Sequence, residues 1–218
     1  MTTRRHPVAV ILVAAMVLVA TALVAACGVD VDTAPRPVVS ESSTTTTSVA
    51  PSGGRSPVVL YYVREGTLLP VIEELPDSGL QSTFTALLQP PAGAATVAGL
   101  GTSIPAGTEL IDLERSSGQL RINLSAAFDN VVGLSRQQAI GQMVLTATEA
   151  SEIDEVVFEV DGDQITVFSP ARGDRTEVDA CDFRSLLATV DVAGDALLPS
   201  DATKVLMERR IELDRECN

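Results

Sequence analysis

Gly99-Leu100-Gly101-Thr102-Ser103-Ile104-Pro105-Ala106-Gly107-Thr108 is the pivot of this chain. Its glycines and its proline suit neither a helix interior nor a central strand, so the stretch is a connection, and the elements on each side are read separately. Upstream, Val58-Val59-Leu60-Tyr61-Tyr62-Val63 is a buried strand, Arg64-Glu65-Gly66-Thr67 a turn, and Leu68 to Leu75 a returning strand that Pro70 confines to a sheet edge. Ser78-Gly79-Leu80-Gln81 has the spacing of a capping box. Leu80, Phe84, Leu87 and Leu88 then share one helical face, and Pro90-Pro91 ends the helix. Downstream, Glu109 to Glu114, a turn at Ser116-Ser117-Gly118, and Gln119 to Leu124 make a hairpin with Leu110, Leu120, Ile122 and Leu124 as its apolar set. Ser135-Arg136-Gln137-Gln138 repeats the capping pattern before a helix whose buried face is Ile140, Met143, Val144 and Ala147. A last hairpin pairs Asp154–Val160 with Gln164–Phe168 across Asp161-Gly162-Asp163. The order β-β-α-β-β-α-β-β predicts an α/β fold: a two-layer sandwich with two helices packed on one face of a mixed β-sheet.

Five phrases in this order carry a resemblance. Phe84-Thr85-Ala86-Leu87-Leu88-Gln89-Pro90-Pro91 resembles a helix ending in "LL-x-P", and Gly99–Thr108 resembles "G-L-x-T-x-I-P-x-G-T". Ile122-Asn123-Leu124-Ser125-Ala126-Ala127-Phe128 resembles "V-D-L-S-x-x-F", with Asn123 in place of the usual aspartate. Gln142-Met143-Val144-Leu145-Thr146 resembles "Q-I-V-Y-T", with Leu145 in place of tyrosine. Val156-Val157-Phe158-Glu159-Val160-Asp161-Gly162 resembles "V-x-F-x-V-D-G". Together they resemble the GerMN domain of sporulation and spore-germination proteins over about Val58 to Pro170. The resemblance implies an extracytoplasmic, membrane-tethered interaction domain with no known catalysis, assigned to residues 57–170, with 171–218 as a C-terminal extension. One copy and no β-propeller set the chain apart from two-copy sporulation members and from the large actinobacterial lipoproteins that work beside a sensor kinase.

The N-terminus suggests an address. Arg4, Arg5 and His6 precede an uncharged run from Pro7 to Ala26, which ends Leu23-Val24-Ala25-Ala26-Cys27. This resembles a bacterial lipoprotein signal: residues 1–26 would be cleaved and Cys27 lipidated. The mature protein would then sit on the outer face of the cytoplasmic membrane through acyl chains. The alternative is an uncleaved helix, since roughly 20 apolar residues can span a bilayer. Residues 27–56, rich in Ser, Thr, Pro and Gly, read as a disordered, lipid-anchored linker, either a bare spacer or a carrier of O-linked sugars. Abundant Ala, Val and Asp beside a single lysine, Lys204, suggest a high-GC, actinobacterial source.

Charge and chemistry narrow the function further. With 15 basic and 29 acidic side chains the chain carries −14, which disfavours nucleic acid as a partner because phosphate binding needs cations. His6 is the only histidine and lies in the signal, so the mature chain has no His-based catalysis and no His metal ligands. No cofactor or metal is expected. Asp161-Gly162-Asp163 fits a turn better than a Ca²⁺ loop. Asp154 with Glu155, and Asp77 with Glu73, are acid pairs that a strongly acidic surface also produces by chance. Arg172-Gly173-Asp174 and the sequon Asn123-Leu124-Ser125 read as a surface turn and a strand segment. Cys181 and Cys217 either form a bridge in an oxidising compartment or remain two separate thiols. Gly99, Gly101, Thr102, Ile104, Pro105 and Gly107 form the candidate binding loop, with a purely structural crossover as the other reading. The expectation is a non-enzymatic envelope scaffold that binds a protein partner. The alternatives are a peptidoglycan- or glycan-binding module, for which the chain offers no Trp and only Tyr61 and Tyr62, and a hydrolase working with carboxylates alone.

Overall fold

The computed structural model describes residues 54–189 and 200–217. Cys27, the signal and the linker as far as residue 53 lie outside them. The chain runs through β1 (Ser56–Arg64), β2 (Thr67–Leu75), α1 (Leu80–Leu87), a short α2 (Gly93–Val97), β3 (Leu110–Ser116), β4 (Gln119–Leu124) and α3 (Gly133–Ala147). It continues through β5 (Glu155–Val160), β6 (Asp163–Gln164), β7 (Val167–Ser169), β8 (Gly173–Arg175), β9 (Glu177–Val178), α4 (Ala180–Phe183) and α5 (Ser200–Glu216). The architecture is mixed α/β, consistent with two layers. β1 and β2 pair alone, while β3-β4-β5-β6, with β9 added on β5, form a five-stranded sheet. β4 and β5 run parallel, Gln119 opposite Glu155 through Leu124 opposite Val160. A parallel pair needs a crossover, and α3 supplies it.

Three two-residue turns set the hairpins. Glu65–Gly66, Ser117–Gly118 and Asp161–Gly162 all have positive φ at both residues, the geometry that matches the twist of antiparallel strands. The core gathers the inward side chains of the sheets and α3, among them Leu60, Leu69, Leu120, Ile122, Phe158, Met143 and Val144. Pro70 faces Tyr61 at a position whose backbone groups point away from the partner strand, so its missing N–H removes no ladder bond.

Four sequence expectations change. α1 starts at Leu80, with its N-cap at Gly79, one residue beyond Ser78, and no capping side chain. Asp77 does the local work instead, accepting from the Gly79 N–H (2.8 Å) and the Ser82 hydroxyl (2.7 Å). α3 begins at Gly133, two residues before Ser135, which leaves Gln138 free to turn inward. The helix is buried on every side from Gln138 to Ala147, not along one apolar stripe. The last hairpin is short. The returning strand pairs only at Asp163 and Gln164, and β7 leaves to pair with β8. Ser169 explains the departure: its hydroxyl donates to buried Asp182 (2.5 Å) and accepts the N–H groups of Ala171 and Arg172. β9 takes the vacated place beside β5.

The segment after Pro170 joins the same core through Phe183, Leu187, Leu206 and Leu213. Cys181 and Cys217 are disulfide-bonded, Cα–Cα 5.5 Å, closing 36 residues. By loop-closure entropy such a bridge contributes about 3–4 kcal/mol. The double variant Cys181→Ser/Cys217→Ser is therefore expected to lose about 3–4 kcal/mol in urea unfolding, with the far-ultraviolet spectrum retained.

Candidate functional site

The pivot stretch lies against β1 and α3, and the polar side chains of α3 hold it there. Gln138, Gln142 and Thr146 follow one another at intervals of four on a helix that is otherwise buried among apolar groups, so they share one face. That face meets β1. Gln142, fully buried, donates from Nε2 to the Tyr61 carbonyl (2.9 Å), and its Oε1 accepts from the Ser103 N–H (2.8 Å) and the Thr102 hydroxyl (3.3 Å). Gln138 donates to the Gly66 carbonyl (2.9 Å) and accepts from the Ser103 hydroxyl (3.0 Å). Thr146 accepts the Tyr61 N–H (3.2 Å). Gly101 exchanges both backbone hydrogen bonds with Val63, each 2.8 Å.

The candidate loop residues are thus placed individually. Leu100 and Ile104 point into the core. Thr102 bonds Gln142 and accepts the Ile104 N–H (3.1 Å). Gly99 and Gly107 have positive φ, 70° and 82°, which is their reason to be glycine. The Pro105 carbonyl accepts the Thr108 N–H (3.1 Å). The Thr102 and Ser103 polar groups are bonded within the domain. The residues that sequence reasoning missed are Gln138 and Gln142; the available signal was their four-residue spacing with Thr146 on an apolar helix.

Glu73 and Asp77, one of the two acid pairs, have structural partners. Glu73 accepts the Tyr62 hydroxyl (2.8 Å) and Asp77 stands at the start of α1. Asn123 accepts the Gly162 N–H (3.0 Å), fastening the β5–β6 turn to β4. In the turn Arg172-Gly173-Asp174, the Arg172 guanidinium binds Asp182 through two nitrogens and Asp179 at 2.9 Å. Asp179 and Asp182 form a true capping box for α4. A D-x-x-D spacing hides it from a pattern written for Ser or Thr followed by Glu or Gln.

A half-buried carboxylate, Glu149, and a buried one, Asp182, respond oppositely to their surroundings. Burial pushes the Glu149 carboxyl above its ordinary value, against the hydrogen bond from Tyr61 (2.6 Å) and the Arg209 charge. Burial also acts upward on Asp182, but hydrogen bonds from Arg172, Ser169 and the Asp179 N–H together hold its carboxyl below the ordinary carboxylate value. Arg209 reaches from α5 to the Thr148 hydroxyl (2.8 Å) and carbonyl (3.2 Å) and to Glu212 (2.6 Å). Among the described residues no cluster of three or more His, Cys, Asp or Glu could hold a metal ion, and no helix is long and apolar enough to cross a membrane.

A family model described as Germane, sporulation and spore germination, matches residues 50–166. The tandem GerMN domains of the sporulation protein GerM from Bacillus subtilis align at 19% identity over 59% of this chain and 47% of that one, with a TM-score of 0.47. The chain therefore spans about half the length of that structure. The first GerMN domain of the same protein aligns at 20% identity over 57% of this chain and 95% of that one, TM-score 0.42. No curated protein matches the chain.

Two variants test these contacts. Gln142→Leu leaves the Ser103 N–H and the Tyr61 carbonyl without partners, and is expected to cost about 2–5 kcal/mol in chemical denaturation. Asp182 has a folded pKa below its ordinary 3.8, so its contribution is present above that value and fades as pH falls through the folded pKa. Acid unfolding monitored by circular dichroism should therefore lose its Asp182 component, below about pH 4, in Asp182→Asn, which is also less stable at neutral pH.

Proposed function

The chain belongs to the Germane family of sporulation and spore-germination proteins, and from this premise we propose that it is a lipid-anchored envelope protein whose GerMN-type domain binds a protein partner without catalysing a reaction. The observation that carries the reading is a juxtaposition in the sequence. A lipoprotein-type N-terminus ending at Cys27 is followed by a Ser/Thr-rich stretch, and the family match begins directly after it, at residue 50. A domain so placed works where it is held. Acyl chains on Cys27 fix it to the outer face of the cytoplasmic membrane, and the linker sets its reach. Within the domain the polar residues of the family phrases support the same reading. Gln142, Thr102 and Asn123 are joined to backbone groups and to each other's neighbours, so they serve the shape of a scaffold.

Cys27→Ala tests the anchor. The domain should fold with unchanged circular dichroism, lose acyl mass and palmitate labelling, and move from the membrane fraction to the soluble fraction. Retention in the membrane without acyl mass would overturn the lipoprotein reading in favour of an uncleaved helix.

A further inference from the structure

The first hairpin has an unfinished edge. Tyr61 and Val63 of β1 direct their backbone groups away from β2, toward Gln142, Thr146 and Gly101. The pairing of β1 with β2 is regular from Arg64 back to Ser56, and successive residues of a strand alternate in direction. Val59 and Pro57 therefore also present their backbone groups outward. Among the described residues no hydrogen bond meets the Val59 N–H or carbonyl on that side. Further along, the edge is closed by α3 and the pivot stretch; here it opens into a groove of about 400 Å³. Ser78, Leu80 and Thr83 of the α1 region line one wall, and Thr146, Glu149 and Glu152 at the end of α3 line the other. A strand edge walled on both sides suits a single extended segment. It does not suit the broad edge of a second sheet, which would collide with the helices.

The charge is one-sided. Glu149 and Glu152 line the groove and no Lys or Arg does. Their arginine partners, Arg209 and Arg115, approach from outside it. The C-terminal end of α3 adds the negative pole of its dipole at the same place.

We propose that this groove binds an extended, positively charged segment of a partner protein, which adds as a strand to β1 at Val59 and sets a Lys or Arg side chain against Glu149 and Glu152. Backbone pairing with Val59 supplies general affinity, and the acidic end of the groove selects the sequence. The inference rests on the partner-binding function proposed above and gives that partner a chemistry.

The test uses the full-length lipidated chain in nanodiscs. An acetylated, amidated peptide Thr-Val-Lys-Val-Lys-Val is titrated to millimolar concentration against backbone amide resonances. Shifts confined to Val58–Leu60, Ser78–Thr83 and Thr146–Glu152 are expected. Affinity should fall at least tenfold for the Glu-for-Lys peptide, for the peptide N-methylated on alternate residues, and for the exposed charge reversal Glu152→Lys. Absence of shifts at Val59, equal affinity for the acidic or methylated peptide, or concentration-dependent shifts without peptide, which would mean a second copy fills the edge, each overturns the proposal. A second measurement separates this idea from the function it rests on. The photoreactive residue p-benzoylphenylalanine is placed in the native cell at position 78 or, as a reference, at exposed position 168. Crosslinks from 78 to a Lys- or Arg-containing extended segment support the groove. Crosslinks from 168 alone sink the groove and leave partner binding intact. Crosslinks from neither sink both.

Discussion

The amide of Gln142 is the constraint on which the rest of this domain depends. It has no contact with solvent, and its donor and acceptor are divided between two segments far apart in sequence: the Tyr61 carbonyl of β1 and the Ser103 N–H of the pivot stretch. A carboxylate in its place would lack the donor, and a hydrocarbon would lack both, leaving buried backbone groups without partners. Because one side chain satisfies both, α3, β1 and the connection become a single unit. Gly101 is then in register to pair with Val63, and α1 and α2 fill the path between the hairpin and that pairing.

This dependence explains which parts of the fold were legible beforehand. The three hairpin turns were, because Glu65-Gly66, Ser117-Gly118 and Asp161-Gly162 need positive φ at both central residues and local chemistry alone meets that need. The strands around them followed from apolar composition. The face of α3 was not fully legible. Periodicity separates buried from exposed sides, and a helix buried all round has no such contrast. Its information lay in the polar minority, Gln138, Gln142 and Thr146, which propensity rules treat as surface or cap residues. The early exit of β7 was invisible for a related reason: Ser169 is drawn out by Asp182, thirteen positions away, and no short pattern encodes that meeting.

The C-terminal part of the chain, beyond the family match, shows how a domain can be completed from outside its common core. Leu187 bridges to Leu68 and the Ala188 N–H donates to the Leu68 carbonyl (2.9 Å), covering the outer edge of β2 near the turn. α5 lies against β2 and is held by Arg209 on Thr148, by Arg210 on the Leu187 and Ala188 carbonyls, by Asp214 on Arg184, and by the Cys181–Cys217 bridge just beyond its end. The α4 capping box and Arg172 form a second fastening beside that bridge. These contacts join charged groups to backbone and to each other, and around the buried Asp182 carboxylate a complete set of partners matters more than any one bond.

The two edges of the first hairpin end up unlike each other, and the difference bears on where a partner can bind. The pivot stretch looks like a binding loop in sequence, with glycines and a proline at the surface. In the fold, the Ser103 N–H and the Thr102 and Ser103 hydroxyls are already bonded within the domain. A ligand there would exchange one hydrogen bond for another and gain about nothing from the exchange, while disturbing the Gln142 joint. At Val59 the outward backbone groups face a groove and no such exchange is required. The same joint ends at Thr146, three residues before Glu149 and six before Glu152. The place where α3 stops satisfying β1 is therefore the place where β1 can pair with something else, and the charge waiting there is negative.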